Sequence, residues 1–193
     1  VLALAFFAIP LMMEMDEVLI LWLNNNIPPY TMRLAQFILL LSLTYQYSVG
    51  IMSAIQATGN IRNYQITIGF ILLMNIPIAY IILKLGCPVH YTTIAFVILE
   101  IISLCIRLFM ATRLTGMKIS DYCNEVIFPT MKIIIIPIII AMIPHCILEK
   151  SFVRLFIVCV VYCSLFIVLM FRFAIDENLR IKILSKVKNT IKR

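Results

Sequence analysis

Long apolar runs broken by short polar islands set the pattern of this chain. Five runs, 33–57, 65–86, 92–113, 131–148 and 152–172, approach or exceed the ~20 residues that an α-helix needs to cross a bilayer. A sixth, 1–13, opens the chain in mid-run and predicts the end of a truncated transmembrane helix. The sequence therefore reads as the C-terminal portion of a longer protein. Residues 14–32, "EMDEVLILWLNNNIPPYTM", are expected to form an outer loop. The stretch is acidic at its start, Trp22 and Tyr30 suit an interface, and Asn24–Asn26 with Pro28–Pro29 mark a turn. Residues 114–130, "LTGMKISDYCNEVIFPT", make the other long connection. The end, 173–193, reads as a basic amphipathic tail. Asp176 can cap a helix there, and Leu184, Val187 and Ile191 share a face among lysines. The fold class expected is an all-α integral membrane protein, a multi-span helical bundle.

Composition agrees. The 193 residues are 63% hydrophobic and 13% charged, against about 45–50% and about 25% in soluble domains. One soluble core cannot hide that excess. The net charge of +7 is expected to set topology rather than to bind nucleic acid, because Lys and Arg collect on the cytoplasmic side of membrane proteins. From Arg172 onward the chain carries seven basic residues, so the tail is expected to be cytoplasmic. Alternating back, 114–130 with Lys118 and 58–64 with Arg62 fall on the same side. The outer loops then carry Glu14, Asp16 and Glu17, next Lys84 and His90, and last Glu149 and Lys150. Arg33 and Arg154 break the bias, lying just inside the outer boundary. Six cysteines form no CxxC and no metal-like cluster, and read as membrane-buried thiols.

An ordered set of segments carries a resemblance. After a first span ending in an apolar–Pro motif come "EVLILWLNNNIPPY", a span ending "AIQATGNIRNYQ", then "LLMNIPIAYIILKLG", and a span beginning "YTTIAFVILEIIS". Together they are similar to the second half of a multidrug/oligosaccharidyl-lipid/polysaccharide exporter. Within that superfamily the chain most resembles polysaccharide flippases of the O-antigen (Wzx) type. Residues 14–90 carry the likeness; the last two spans match in hydropathy and in the linker around Thr115–Pro129. The resemblance implies the last six of fourteen segments, the C-terminal part of a two-lobed alternating-access transporter of the bacterial inner membrane. It implies a substrate too: undecaprenyl-diphosphate-linked oligosaccharide, moved to the outer leaflet for O-antigen or capsule assembly. Membrane lipids, a coupling ion (H+ or Na+) and polysaccharide polymerase machinery would be its partners.

Candidate residues lie inside the spans. Glu100 is the strongest, because a carboxylate at membrane depth costs a few kcal/mol and usually faces the bundle interior or a wet cavity. Ser103 and Arg107 follow on the same face. Arg107 is two turns from Glu100, ~10 Å along the axis, and no direct pair is expected without a third group between them. Glu100 reads either as part of a polar stripe contacting sugar or ion, or as a helix–helix hydrogen bond. Arg107 joins that stripe or snorkels to the inner interface. Gln46, Ser53 and Gln56 share one side of the 33–57 span, and suit sugar hydroxyls or interhelical glue equally. Arg33 and Arg62 are candidates for phosphate or head-group contact, or serve as an interface anchor and a topology signal. Asn75 and Pro77 sit mid-span, where Pro77 should bend the helix.

Nothing in the sequence carries a hydrolase, nucleotide-binding or glycosyl-transfer motif. Neither an enzyme nor a cofactor is expected. Cation-coupled multidrug efflux by the same superfamily is the alternative, and it would favour an acidic or aromatic cavity. A membrane-bound glycan-modifying enzyme is a further one, and it would need company that His90 and His145 lack.

Overall fold

The computed structural model describes residues 1–23 and 26–173, and every regular element among them is helical. In chain order these are α1 (Leu2–Met13), α2 (Met15–Leu23), α3 (Thr31–Ala57), α4 (Arg62–Leu73), α5 (Asn75–Lys84) and α6 (His90–Thr115). Then come α7 (Ile119–Tyr122), a π-helical turn (Cys123–Ile127), α8 (Phe128–Ile147) and α9 (Phe152–Phe173). Five helical stretches are long and apolar enough to cross a membrane: Thr31–Ala57, Arg62–Lys84, His90–Thr115, Ile119–Ile147 and Phe152–Phe173. The basic amphipathic tail expected at 173–193 lies outside the described residues beyond 173.

Local chemistry explains the interruptions. Pro77 lacks the amide that would bond the Leu73 carbonyl, and the helix breaks at Met74 between α4 and α5. Ile78 still bonds the Met74 carbonyl at 3.2 Å, so the two halves stay joined as one span. At the end of α3, Gly59 takes φ +74°, and a Cβ there would meet nothing within 4 Å. The left-handed backbone, not space, is what calls for glycine. Pro129 similarly removes the amide that would bond the Glu125 carbonyl, and the π turn falls just upstream of it.

Two stretches differ from expectation. Residues 14–32, expected as loop, contain α2, which follows α1 after a single interruption at Glu14. Asp16 and Glu17 sit in the first turn of α2, where acidic groups complement the helix dipole, so their charge marks a helix start. Residues 114–130 are helical from Ile119, which lengthens the fourth long span toward its N-terminus.

Two cores hold the bundle. The first joins Ala5, Ala8 and Ile9 of α1, Leu43 of α3, Ile133 and Ala141 of α8, and Val158, Tyr162 and Phe166 of α9. The second joins Ile51 and Ile55 of α3, Tyr64 and Ile68 of α4, and Leu108 and Ala111 of α6. Helix α3 belongs to both. Large apolar side chains such as Phe70, Ile76 and Phe156 point outward, which suits contact with lipid tails as apolar as leucine.

A buried ion pair between α3 and α6, and a candidate site beside it

Helices α3 and α6 make the most extensive helix–helix packing among the described residues. Glu100, Ser103 and Arg107 fall three and four residues apart on α6, so they line one face. All three are buried, at 3%, 0% and 1% exposure. Facing them on α3 is Ser48, also buried, in register with Ile51 and Ile55.

The guanidinium of Arg107 donates from Nη1 to Glu100 Oε1 and to Ser48 Oγ, the latter at 2.8 Å. The pair is direct, which corrects the expectation from spacing. Helical side chains lean toward the N-terminus of their helix, so Arg107 reaches back toward Glu100. The length of the arginine side chain closes a gap that backbone rise alone leaves open. Nor does Arg107 snorkel; its guanidinium points into the bundle. Its Cζ also lies 5.9 Å from the centroid of the Tyr45 ring, within cation–π range.

The cluster is incompletely satisfied. Arg107 Nε and Ser103 Oγ have no hydrogen-bond partner among the described residues, and each buried orphan of this kind costs about 1–3 kcal/mol. Beside the pair lies a cavity of about 360 Å³ lined by Ser42, Tyr45, Gln46, Phe96 and Glu100 among others. Its wall thus combines two ring faces, an amide, a hydroxyl and one edge of the ion pair.

The remaining candidates separate. Gln46 lines the cavity. Ser53 and Gln56 do not: both are exposed, and Ser53 returns its hydroxyl to the Val49 carbonyl at 3.1 Å. Their common spacing with Gln46 does not assemble a single site. Arg33 and Arg62 are exposed at the starts of α3 and α4 and make no salt bridge among the described residues. Gln36 acts as glue, donating from Nε2 to the Met12 carbonyl at 2.9 Å.

A second charged cluster was not expected. Glu14 is fully buried at the α1–α2 break. Its Oε2 accepts from Arg154 Nε at 3.0 Å and Nη2 at 2.8 Å, while Oε1 lies 2.7 Å from His145 Nδ1. Lys150 Nζ lies 3.0 Å from Asp16 Oδ2, and Arg154 Nη2 is 3.6 Å from Asp16 and 3.8 Å from Glu17. Burial alone would raise the Asp16 carboxyl. The Lys150 hydrogen bond, the Glu17 amide and the charges of Lys150 and Arg154 outweigh burial and hold it below its ordinary value. One signal in the sequence pointed here. Arg154 is one of the two basic residues that break the expected charge bias, and Glu14 is its buried partner.

No grouping of three metal-ligating side chains occurs among the described residues. Comparison with protein-family models, curated proteins and solved structures found no match. Fold and site define the class at the level of physics: a multi-pass helical membrane bundle with an ion pair buried at the edge of a partly polar cavity.

Proposed function

We propose that this chain forms the C-terminal part of an alternating-access transporter that moves lipid-linked oligosaccharide across the bacterial inner membrane for surface polysaccharide assembly. One observation carries the reading. A carboxylate–guanidinium pair lies deep between two spans, keeps unused donors, and borders a cavity that offers both ring faces and amide and hydroxyl groups. Sugars present apolar ring faces and polar edges, and Tyr45, Phe96, Gln46 and Glu100 offer complements to both. The segment order of residues 14–90 supports the same reading through its resemblance to polysaccharide flippases.

In this account Arg107 neutralises Glu100, so the pair contributes polarity without net charge. A neutral polar wall suits an oligosaccharide. It does not suit an organic cation, which would seek an unpaired carboxylate, and this weighs against multidrug efflux. Alternating access would require α3 and α6 to move against partners in a second lobe, with the Met74 break as a point of bending.

The test is deletion of the full-length gene in its native strain, followed by analysis of surface glycan and lipid-linked intermediates. The expected result is loss of surface glycan with build-up of inner-leaflet lipid-linked repeats, both reversed by the intact gene. Unchanged glycan together with new drug sensitivity would overturn the proposal in favour of efflux.

A further inference from the structure

Between α6 and α8 the chain is held differently from the spans on either side. It leaves α6 at Gly116, which takes φ +73°, and passes Lys118 in extended backbone before α7 begins. It enters α8 through the π turn and Pro129, whose ring lacks the amide that would continue the α pattern. No residue of α7 or of the π turn is buried, whereas α8 buries Ile133, Ile134, Pro137 and Ala141. Ser120, Asp121, Asn124 and Glu125 are exposed. A segment with so few buried contacts, set between a left-handed glycine and a proline, is where a fold opens at low cost.

One residue of another helix holds this segment on both sides of the π turn. Tyr122, the last residue of α7, donates its hydroxyl to the Tyr47 carbonyl of α3. Beyond the turn, Thr130 Oγ1 lies 3.2 Å from the Tyr47 hydroxyl. Proton counting gives the direction of that second bond. Thr130 has a single hydroxyl hydrogen, and it is spent on the Val126 and Ile127 carbonyls within the π turn. Tyr47 therefore donates, and Thr130 carries the connection into the turn itself. Residues 122 and 130 bracket the turn, and both bond Tyr47.

We infer that residues 119–127, α7 with the π turn, form a strap that opens and closes as a unit, and that Tyr47 is its latch. Tyr47 stands between Gln46, which lines the cavity beside Glu100, and Ser48, which accepts from Arg107. Closure of the strap therefore steadies the turn of α3 that carries the polar site, and opening releases it. The inference rests on the geometry around Tyr47, so it stands whether or not the translocation reading does.

Cys123 lies half-buried inside the π turn and serves as a built-in reporter. The test measures its alkylation by N-ethylmaleimide in the purified full-length protein in detergent, resolved peptide by peptide by mass spectrometry. Cys159, half-buried in α9, is the reference thiol in the same sample. The variants are Tyr47→Phe, Tyr122→Phe and Thr130→Ser. Each Phe substitution removes one hydroxyl and keeps the ring, whereas Thr130→Ser keeps the hydroxyl that receives the latch. The expected result is Cys123 labelling about threefold to tenfold faster in both Phe variants. Cys159 should be unchanged throughout, and Thr130→Ser should label like the parent. Amide exchange should quicken over 119–127 and not over 133–141. Unchanged Cys123 labelling in either Phe variant would overturn the inference, because the latch requires both bonds. Equal acceleration at Cys159 would overturn it too, since that marks a general loosening rather than a strap.

Discussion

Two charged clusters are buried in this bundle, and they are built to different standards. At Glu14 both carboxylate oxygens are engaged, Arg154 chelates one of them through two nitrogens, and Asp16, Glu17 and Lys150 surround the pair. The cluster ties the α1–α2 break to α8 and α9 and leaves no buried side-chain polar atom orphaned. At Glu100 the pair is equally deep, yet Arg107 Nε and Ser103 Oγ are left without partners, and Glu100 itself borders a cavity. A closed network fixes helices in place. A network left incompletely satisfied, with its carboxylate at a cavity wall, is the one a ligand can reach. Burial of charge alone would not have distinguished them; the accounting of unused atoms does.

The largest expected effect lies in the closed cluster. Arg154→Met leaves Glu14 charged, fully buried and without its bidentate partner, and should lower stability by about 3–5 kcal/mol. Thermal unfolding in detergent checks this, and an unchanged midpoint would show that Glu14 is not held as described. Replacing both members, Glu14→Leu with Arg154→Leu, should recover most of the loss, because an apolar pair needs no compensation.

That cluster also shows where the sequence was legible and where it was not. Hydropathy alone marked five long apolar stretches, but it began the fourth at 131, where the helical stretch runs from Ile119. Charge was the harder signal. Asp16 and Glu17 look like loop residues until Arg154 and Lys150 are known to meet them, and Arg154 lies 140 positions from Glu14. The α6 stripe of Glu100, Ser103 and Arg107 was visible from spacing. Their direct pairing was not, because residue spacing counts backbone rise and omits the reach and lean of an arginine side chain. Ser48 escaped notice for another reason. A serine inside a helix shows which side it faces only through its register with Ile51 and Ile55, and many mid-helix serines simply bond their own backbone, as Ser42 does to Ile38.

Smaller effects sharpen the contrast. Ser48→Ala removes an acceptor from Arg107 and should cost about 1 kcal/mol in unfolding by denaturant. A null result would mean that Ser48 does not hold the guanidinium.

The rim of the closed cluster should respond to acid. The Asp16 carboxyl is held below its ordinary value, so its contribution is present above the unfolded pKa of about 3.9. It is lost as pH falls through the lower folded value. Asp16→Asn should therefore flatten the fall of stability below about pH 4 while leaving the profile near neutrality nearly parallel to that of the parent. Identical acid limbs in the two proteins would remove Asp16 from the network.

Ser103→Ala should cost no stability and should relieve some of the orphan's penalty of about 1–3 kcal/mol, since the hydroxyl bonds nothing in the protein and its removal leaves no partner stranded. A large loss would mean that Ser103 is already spent on a structural bond, and would weaken the case for an open site.

The most direct test of the central claim is complementation of the deletion strain by Glu100→Gln at matched membrane levels, with surface glycan as the readout. Gln keeps an acceptor for Arg107 and nearly the same shape but leaves the buried guanidinium without its counter-charge, so the comparison is made only at membrane levels shown to match the parent's. The account predicts normal insertion with surface glycan reduced at least tenfold and lipid-linked repeats retained. Full surface glycan at equal protein level would contradict it, and would place the Glu100–Arg107 pair beside the Glu14 cluster as structural.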